Sequence, residues 1–181
     1  MEKKDLKPAG VFKYFEEICQ VPRPSKKEEK MIAYLKTFGA KHNLETKVDE
    51  AGNVLIKKPA TPGKENLQTV VLQSHIDMVC EKNNDVQHDF LTDPIETEID
   101  GEWLKAKGTT LGADNGIGVA TELAILADDS IEHGPLECLF TVDEETGLTG
   151  AFALQEGFMS GDILLNLDSE DEGEIFIGCA G

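Results

Sequence analysis

Apolar positions recur with a helical period in the N-terminal part of the chain. The segment PAGVFKYFEEICQ has the spacing of one helix face, with apolar residues at Val11, Phe12, Phe15, Ile18 and Cys19. The segment KMIAYLKTFGAKHN repeats the pattern at Met31, Ile32, Leu35 and Phe38. The Ser-x-x-Glu sequence of Ser25 and Glu28 predicts a capping box ahead of this second segment. Two amphipathic helices are therefore predicted.

Short apolar runs then alternate with further helical segments. The run at 70–72 and the segments PLECLFTV and DILLNLD are typical of buried strands, whereas DNGIGVATELAILA and EETGLTGAFALQ are interpreted as helices. ETKVDEAGNVLIKKPA predicts a hairpin. This alternation predicts an α/β protein, a three-layer α/β/α sandwich with a mostly parallel central sheet. Ligands of such sheets bind beyond the carboxyl ends of the strands.

Two less regular segments complete the pattern. Residues 81–110 are polar and are interpreted as a long loop with a hairpin around Asp100 and Gly101. Trp103, the only tryptophan, is interpreted as a packing anchor beneath that loop. The final segment GEIFIGCAG is predicted to form a strand.

Acidic residues dominate the C-terminal part of the chain. The formal net charge is −18, and residues 108–181 contain 16 Asp or Glu but no Lys or Arg. Such a charge repels phosphate backbones and anionic lipids, so neither nucleic acid nor a membrane surface is an expected partner. Cations are the expected partners instead.

The cysteines and the N-terminus indicate the cellular compartment. The four cysteines form no Cys-x-x-Cys pair, which argues against disulfides and against a thiolate metal site. The N-terminal MEKKDLKPAG is followed by no long apolar run, and no window approaches the length that spans a membrane. A soluble, cytoplasmic protein is expected.

Four polar clusters follow predicted strands or open a predicted helix. They are His75 with Asp77, then Asp114, the run 143–145, and Asp168. A single carboxylate in such a position usually caps the next helix. Several of them at one edge of a sheet repel each other and raise one another's pKa values unless a cation neutralises them. The sequence therefore predicts a cation site.

The residue types limit the choice of cation. One imidazole with several carboxylates suits Zn²⁺, Mn²⁺ or Co²⁺. An acidic Ca²⁺ binder is disfavoured, because Ca²⁺ prefers oxygen ligands and its characteristic loop sequence is missing from the chain. More carboxylates are present than one tetrahedral ion uses, which favours two ions that share a carboxylate. Asp114, between Gly112 and Gly116, is interpreted as the shared ligand.

The motifs SHIDMV, LGADNGIG, DEETG and NLDSED occur in this order, and together they resemble the metallopeptidases of the M20 family. Within that family the resemblance is greatest to the aminoacyl-histidine dipeptidases. It extends over nearly the whole chain. Each motif alone is weak evidence, whereas the ordered set of four is specific.

The resemblance implies a role for each site residue. His75 and Asp168 would bind one metal ion, Asp114 would bridge two ions, and Glu145 would bind the second. Glu144 would be the general base that deprotonates the attacking water and passes the proton to the leaving amine. Asp77 would accept the second ring N–H of His75 and so fix its tautomer. A cis peptide bond after Asp114 is also implied.

The implied function is the hydrolysis of dipeptides, in particular Xaa-His dipeptides, by a homodimer with two divalent ions. Zinc is the first expectation for these ions, with manganese or cobalt as alternatives. A tripeptidase or an aminoacylase of the same family is the nearest alternative function. A non-catalytic metal-binding scaffold is the alternative from outside the peptidases.

Residues 1–181 resemble only the N-terminal portion of the catalytic domain. The family also has a lid or dimerisation domain, and a histidine ligand near the C-terminus of a longer chain. Neither has a counterpart in these residues. This chain alone is therefore expected to fold but not to catalyse.

Overall fold

The predicted N-terminal helices are present. The computed structural model describes residues 3–169 and 173–178 of the chain. Its helical elements are a 3-10 turn at Lys3–Asp5, α1 (Ala9–Cys19), α2 (Glu29–Lys41), α3 (Ala113–Ala127) and α4 (Thr149–Ala153). α1 and α2 bury their predicted apolar faces, including Phe15, Ile18, Met31 and Leu35. None of the helices in the described residues is long and apolar enough to cross a membrane.

The strands form a five-stranded sheet and a separate hairpin. They are β1 (Glu45–Val48), β2 (Val54–Lys58), β3 (Val70–His75), β4 (Thr97–Asp100), β5 (Trp103–Ala106), β6 (Leu136–Thr141) and β7 (Ile163–Asn166). The sheet has the order β1-β2-β6-β3-β7. Its strands β6, β3 and β7 are parallel, and β2 and β1 extend it in antiparallel pairing. β4 and β5 pair as the predicted hairpin. The α/β class predicted from the sequence is confirmed.

Both faces of this sheet are covered, which gives three layers. Ile56 and Phe140 point to one face and belong to the main core, which also contains the buried sides of α1, α2 and α3. Leu55 and Leu139 point to the other face, where apolar residues of the segment 154–159 pack against them. This alternation follows from the two-residue period of a strand.

The capping box predicted at Ser25 and Glu28 is wrong. α2 begins at Glu29, and no side chain caps its N-terminus. Ser25 Oγ instead donates to Asp77 Oδ2 at 2.7 Å. Glu28 accepts a hydrogen bond from the backbone N–H of Asp143 at 3.0 Å. Ser25 is thus bonded to a residue distant in sequence, and Glu28 bonds the distant Asp143 as well as the neighbouring N–H of Lys26 at 2.9 Å.

Two apolar segments are more exposed than predicted. The prediction that Trp103 is a packing anchor is wrong, because its side chain is 71% exposed. The predicted strand GEIFIGCAG is described over residues 173–178, which lie in no strand, and its last three residues lie outside the described part. Ile175 and Ile177 in this segment are 91% and 97% exposed. A strand needs a neighbour to bond its backbone groups, and an apolar pattern alone does not supply one.

Candidate metal centre

Three parallel strands end at the same edge of the sheet. β3 ends at His75, which is paired with Thr141 at the end of β6. Gln73 of β3 is paired with Asn166 at the end of β7. Because β3 lies between β6 and β7, the residues that follow these two strands flank His75 on both sides. The structure thus brings three of the four predicted clusters to one edge.

Asp114 reaches the same edge from the start of α3. Gly112 before it has a left-handed backbone conformation (φ 67°), which glycine adopts without side-chain strain. The Asp114–Asn115 peptide bond is cis, as the resemblance implies, and both residues have non-helical backbone angles. Asn115 Oδ1 accepts from the backbone N–H of Gly118 at 3.1 Å, where the regular turns begin. Asp114 Oδ1 lies 3.0 Å from His75 Nε2.

The side chains of His75, Asp114 and Asp168 form a candidate ligand group. One ligand atom from each of the three residues lies within 4.8 Å of the others. Asp168 Oδ2 is 3.8 Å from His75 Nε2. The His75 side chain is fully buried, whereas those of Asp114 and Asp168 are 57% and 28% exposed, so the group opens to solvent. One imidazole nitrogen with carboxylate oxygens fits a divalent transition-metal ion such as Zn²⁺.

Asp77 lies on the opposite side of the His75 ring and is fully buried. Its Oδ1 is 3.3 Å from His75 Nδ1. It also accepts hydrogen bonds from the backbone N–H groups of Glu144 at 3.0 Å and Glu145 at 3.2 Å, and from Ser25 Oγ. Burial raises the pKa of Asp77, but His75 and these donors outweigh burial and lower it to about 2. Asp77 is therefore ionised and joins β3 to the loop after β6.

The acids around the ligand group lack other cations. Among the described residues, His75 is the only cationic side chain within ion-pair distance of Asp114, Glu144 or Asp168. Burial raises the pKa of Glu144 and of Asp168, and nearby carboxylates raise both further, whereas the charge of His75 lowers them. The same causes raise the pKa of Glu145. Like charges that raise one another's pKa values favour a bound cation.

His75 carries the opposite charge in this arrangement. Burial lowers the pKa of the His75 ring, but the carboxylates of Asp77, Asp168 and Asp114 outweigh burial and raise it to about 9. The protonated ring partly compensates the surrounding acids.

Glu144 and Glu145 follow β6 and have different surroundings. Glu144 Oε2 is 3.9 Å from His75 Nε2, so this carboxylate faces the ligand group. Glu145 lies outside the group of three residues whose ligand atoms are within 4.8 Å of each other. Both side chains are partly exposed. The roles of Glu144 as base and Glu145 as second-metal ligand stay predictions.

Sequence reasoning missed one segment of the site, residues 23–28. Arg23, Ser25 and Glu28 of this segment make hydrogen bonds to three different parts of the edge. The Ser-x-x-Glu pattern pointed to this segment, but a local helix cap and a long-range hydrogen bond use the same residue types. The pattern therefore could not distinguish between them. An arginine between two prolines carries no local signal at all.

The fold and these side chains define an α/β protein with a candidate metal centre at the carboxyl edge of its parallel strands. Residues 71–178, more than half of the chain, match the sequence profile of the peptidase family M20/M25/M40. The chain therefore belongs to this family, as its motifs predict.

Individual relatives are also similar to the chain. It is 53% identical over 180 residues to the cytosol non-specific dipeptidase of Escherichia coli (strain K12). This match covers 99% of this chain and 37% of that protein. The crystal structure of aminoacylhistidine dipeptidase from Vibrio alginolyticus has a TM-score of 0.95 and 56% identity, and the match covers 99% of this chain and 36% of that one. For aminopeptidase PepT from Bacillus cereus ATCC 10987 the TM-score is 0.76 and the identity 26%, over 90% of this chain and 43% of that one. This chain spans little more than a third of the length of the first two.

Proposed function

We propose that the protein containing this chain is a metal-dependent dipeptidase. The observation that carries the proposal is the ligand group of His75, Asp114 and Asp168 with the Glu144 carboxylate beside it. Membership of the M20/M25/M40 family and the dipeptidase names of two relatives support it.

The metal ions are proposed to be two, with zinc as the first candidate and manganese or cobalt as alternatives. His75 Nε2 and Asp168 would hold one ion, Asp114 would bridge both, and Glu145 would hold the second. Bound divalent ions polarise a peptide carbonyl and lower the pKa of water. Among the described residues, Asp114, Glu144 and Asp168 share His75 as their only ion-pair partner. These acids support two ions, because a single ion would leave several carboxylates uncompensated.

Glu144 is proposed as the general base. Its Oε2 faces the ligand group, so it can take the proton of the attacking water and donate it to the leaving amine. Burial is the largest cause of its raised pKa; the charge of His75 lowers this pKa, and neighbouring carboxylates raise it further. A raised pKa makes the carboxylate a stronger base near neutral pH.

Asp77 is proposed to orient both the ligand and the base. Its proximity to His75 Nδ1 favours a proton on that nitrogen, so Nε2 is the ring nitrogen that would lose its proton to bind the metal ion. Its bonds to the backbone N–H groups of Glu144 and Glu145 fix the loop that carries the base. One buried carboxylate thereby sets the orientation of two groups of the site.

The substrate is proposed to be a dipeptide, in particular Xaa-His. Residues 1–181 are proposed to be the N-terminal portion of the catalytic domain of a cytoplasmic homodimer that binds neither nucleic acid nor membranes. The further parts would be a lid or dimerisation domain and a segment with another histidine ligand. Two relatives nearly three times as long support this arrangement.

The test is a hydrolysis assay with the complete gene product. The panel contains Xaa-His and other dipeptides, a tripeptide and an N-acyl amino acid, and bound metal is measured in parallel. Cleavage of dipeptides supports the proposal, whereas exclusive cleavage of the tripeptide or the acyl amino acid moves the protein to the alternative functions. Metal binding without any cleavage would indicate a scaffold. The 181-residue chain alone is expected to show no turnover.

The role of Glu144 is tested by Glu144→Gln, which keeps the shape of the side chain and removes the base. We expect kcat to fall by about 10²–10⁴-fold with the metal content unchanged. Glu156→Gln is the matched control, because Glu156 is exposed and belongs to no candidate ligand group among the described residues. Metal loss in Glu144→Gln would instead indicate that Glu144 is a ligand.

A further inference from the structure

Arg23, the only arginine of the chain, is buried next to the candidate metal centre. Its side chain is 2% exposed. Nη1 donates hydrogen bonds to the carbonyl oxygens of Ile76 and Asp77, both at 3.1 Å, and Nη2 donates to the carbonyl oxygen of Gly112 at 2.5 Å. No carboxylate in the described part of the chain forms an ion pair with it. This cation is therefore held by backbone carbonyls.

These carbonyls belong to the two segments that carry the candidate ligands His75 and Asp114. Ile76 directly follows His75 at the end of β3, and Gly112 lies two residues before Asp114. The guanidinium group is planar and presents its N–H groups in a fixed fork, so it constrains the separation of the carbonyls that it bonds. The separation of these two segments also fixes the distance of 3.0 Å from His75 Nε2 to Asp114 Oδ1.

The glycines on either side of Asp114 make room for this arginine. A Cβ atom at Gly112 would lie 2.5 Å from Arg23 Nη2, and a Cβ atom at Gly116 would lie 2.7 Å from it. Both separations are too short for an ordinary contact. The motif LGADNGIG therefore fits around the guanidinium group.

We infer that Arg23 is a positioning residue of the metal centre. It holds the end of β3 and the turn before Asp114 at the separation at which His75 and Asp114 can bind one ion. The inference rests on the proposed metal function of the site. It concerns the pre-formed geometry of the ligands, and Arg23 itself touches neither metal nor substrate.

Lys58 provides a matched control. It is also a buried cation, 7% exposed, and its Nζ donates to the carbonyl oxygens of Ile125 and Asp128 at 3.2 and 2.9 Å. Lys58 is paired with Leu136 at the start of β6, which is the opposite edge of the sheet from the ligand group. Lys58 Nζ also lies 3.4 Å from Asp129 Oδ1, so losing Lys58 removes two carbonyl bonds and an ion pair far from the site.

The experiment measures the Zn²⁺ dissociation constant of the metal-free complete gene product by competition with a chelating indicator. The variants are Arg23→Met, Arg23→Lys and Lys58→Met, and the thermal unfolding of each metal-free variant is recorded. Arg23→Lys keeps the positive charge and removes the planar fork of guanidinium N–H groups. If Arg23→Met does not fold, the result for Arg23→Lys is the test. We expect both Arg23 variants to weaken Zn²⁺ binding by about 10–100-fold. Lys58→Met should lower the unfolding temperature and leave Zn²⁺ binding unchanged.

The possible outcomes separate this inference from the proposed function. If the wild-type protein binds no Zn²⁺, the proposed metal function fails. If the wild-type protein binds Zn²⁺ and a folded Arg23 variant binds it equally well, the metal function stands and Arg23 is only a structural residue. Weaker binding in Arg23→Lys, without a change in Lys58→Met, supports positioning by the guanidinium fork.

Discussion

Replacing the buried Glu122 should stabilise the protein. Glu122 lies within α3, its side chain is 0% exposed, and neither carboxyl oxygen has a hydrogen-bond partner among the described residues. Burial raises the pKa of this carboxyl well above its usual 4.5, and the nearby Ser74 hydroxyl lowers it by less. A buried polar group without a partner costs about 1–3 kcal/mol of stability.

Two substitutions separate the cost of burial from the cost of ionisation. Glu122→Met has a similar volume and a high helix propensity, and we expect it to raise the free energy of unfolding at pH 7 by about 1–3 kcal/mol. Glu122→Gln removes only the ionisation. Because the folded-state pKa is raised, the folded protein keeps a proton that the unfolded chain releases above pH 4.5. Wild-type stability therefore falls as pH rises from there through the folded-state pKa, and the advantage of Glu122→Gln grows over this interval.

Urea unfolding followed by circular dichroism at pH 5, 7 and 9 measures both effects. Glu156→Met at an exposed position is the control and should stay within about 0.5 kcal/mol of the wild-type protein. A Glu122→Met variant less stable than wild type at pH 7 would show that the carboxyl has a stabilising partner. A pH-independent difference for Glu122→Gln would refute the raised pKa.

Two further substitutions, the first with Gly10→Ala as its control, test the contacts that support the site. Gly150→Ala places a Cβ atom 2.4 Å from Asn53 Oδ1 and 2.5 Å from the carbonyl oxygen of Val142, so it should lower the free energy of unfolding by about 1–3 kcal/mol or more. Gly10→Ala makes only an ordinary 3.5 Å contact, and it should raise the free energy of unfolding by up to about 1 kcal/mol in the same urea unfolding assay. Ser25→Ala removes a donor to an ionised carboxylate and should cost about 1.5–3 kcal/mol in the metal-free protein. Wild-type stability in Ser25→Ala would mean that water replaces the hydroxyl.

The location of the candidate site at the carboxyl edge of the sheet could be predicted, because two simple rules apply there. Apolar runs mark β3, β6 and β7, and parallel strands place their carboxyl ends at one edge. His75 and Asp168 directly follow or end such runs, so the chain pattern alone brings them together. Asp114 was predicted as a shared ligand from its position between two glycines at the start of a helix, whereas the non-helical backbone angles of that turn leave no sign in the residue pattern.

The segment 23–28 could not be predicted, because its partners are far away in sequence. Ser25 bonds a residue 52 positions later, and Glu28 bonds one 115 positions later. A Ser-x-x-Glu pattern before a helix predicts a cap from local preferences alone. Tertiary contacts override this preference when a buried carboxylate or N–H group needs a partner more than the exposed helix end does.

The structural acids of this edge differ from the metal-binding candidates in the number of hydrogen-bond donors around each carboxylate. Residue type alone does not reveal this difference. Asp77 is fully buried, yet three hydrogen bonds and the adjacent His75 ring satisfy its charge. Asp143, also buried, accepts from the hydroxyls of Thr146 and Thr149. Asp114 and Asp168 instead have His75 as their only ion-pair partner in the described residues. A carboxylate already bonded by the protein offers little to a cation, whereas an under-satisfied one gains from binding it. Substituting a satisfied acid should therefore reduce folding stability with or without metal. Substituting Asp168, whose pKa is raised first by burial, should reduce metal affinity while the metal-free protein becomes more stable.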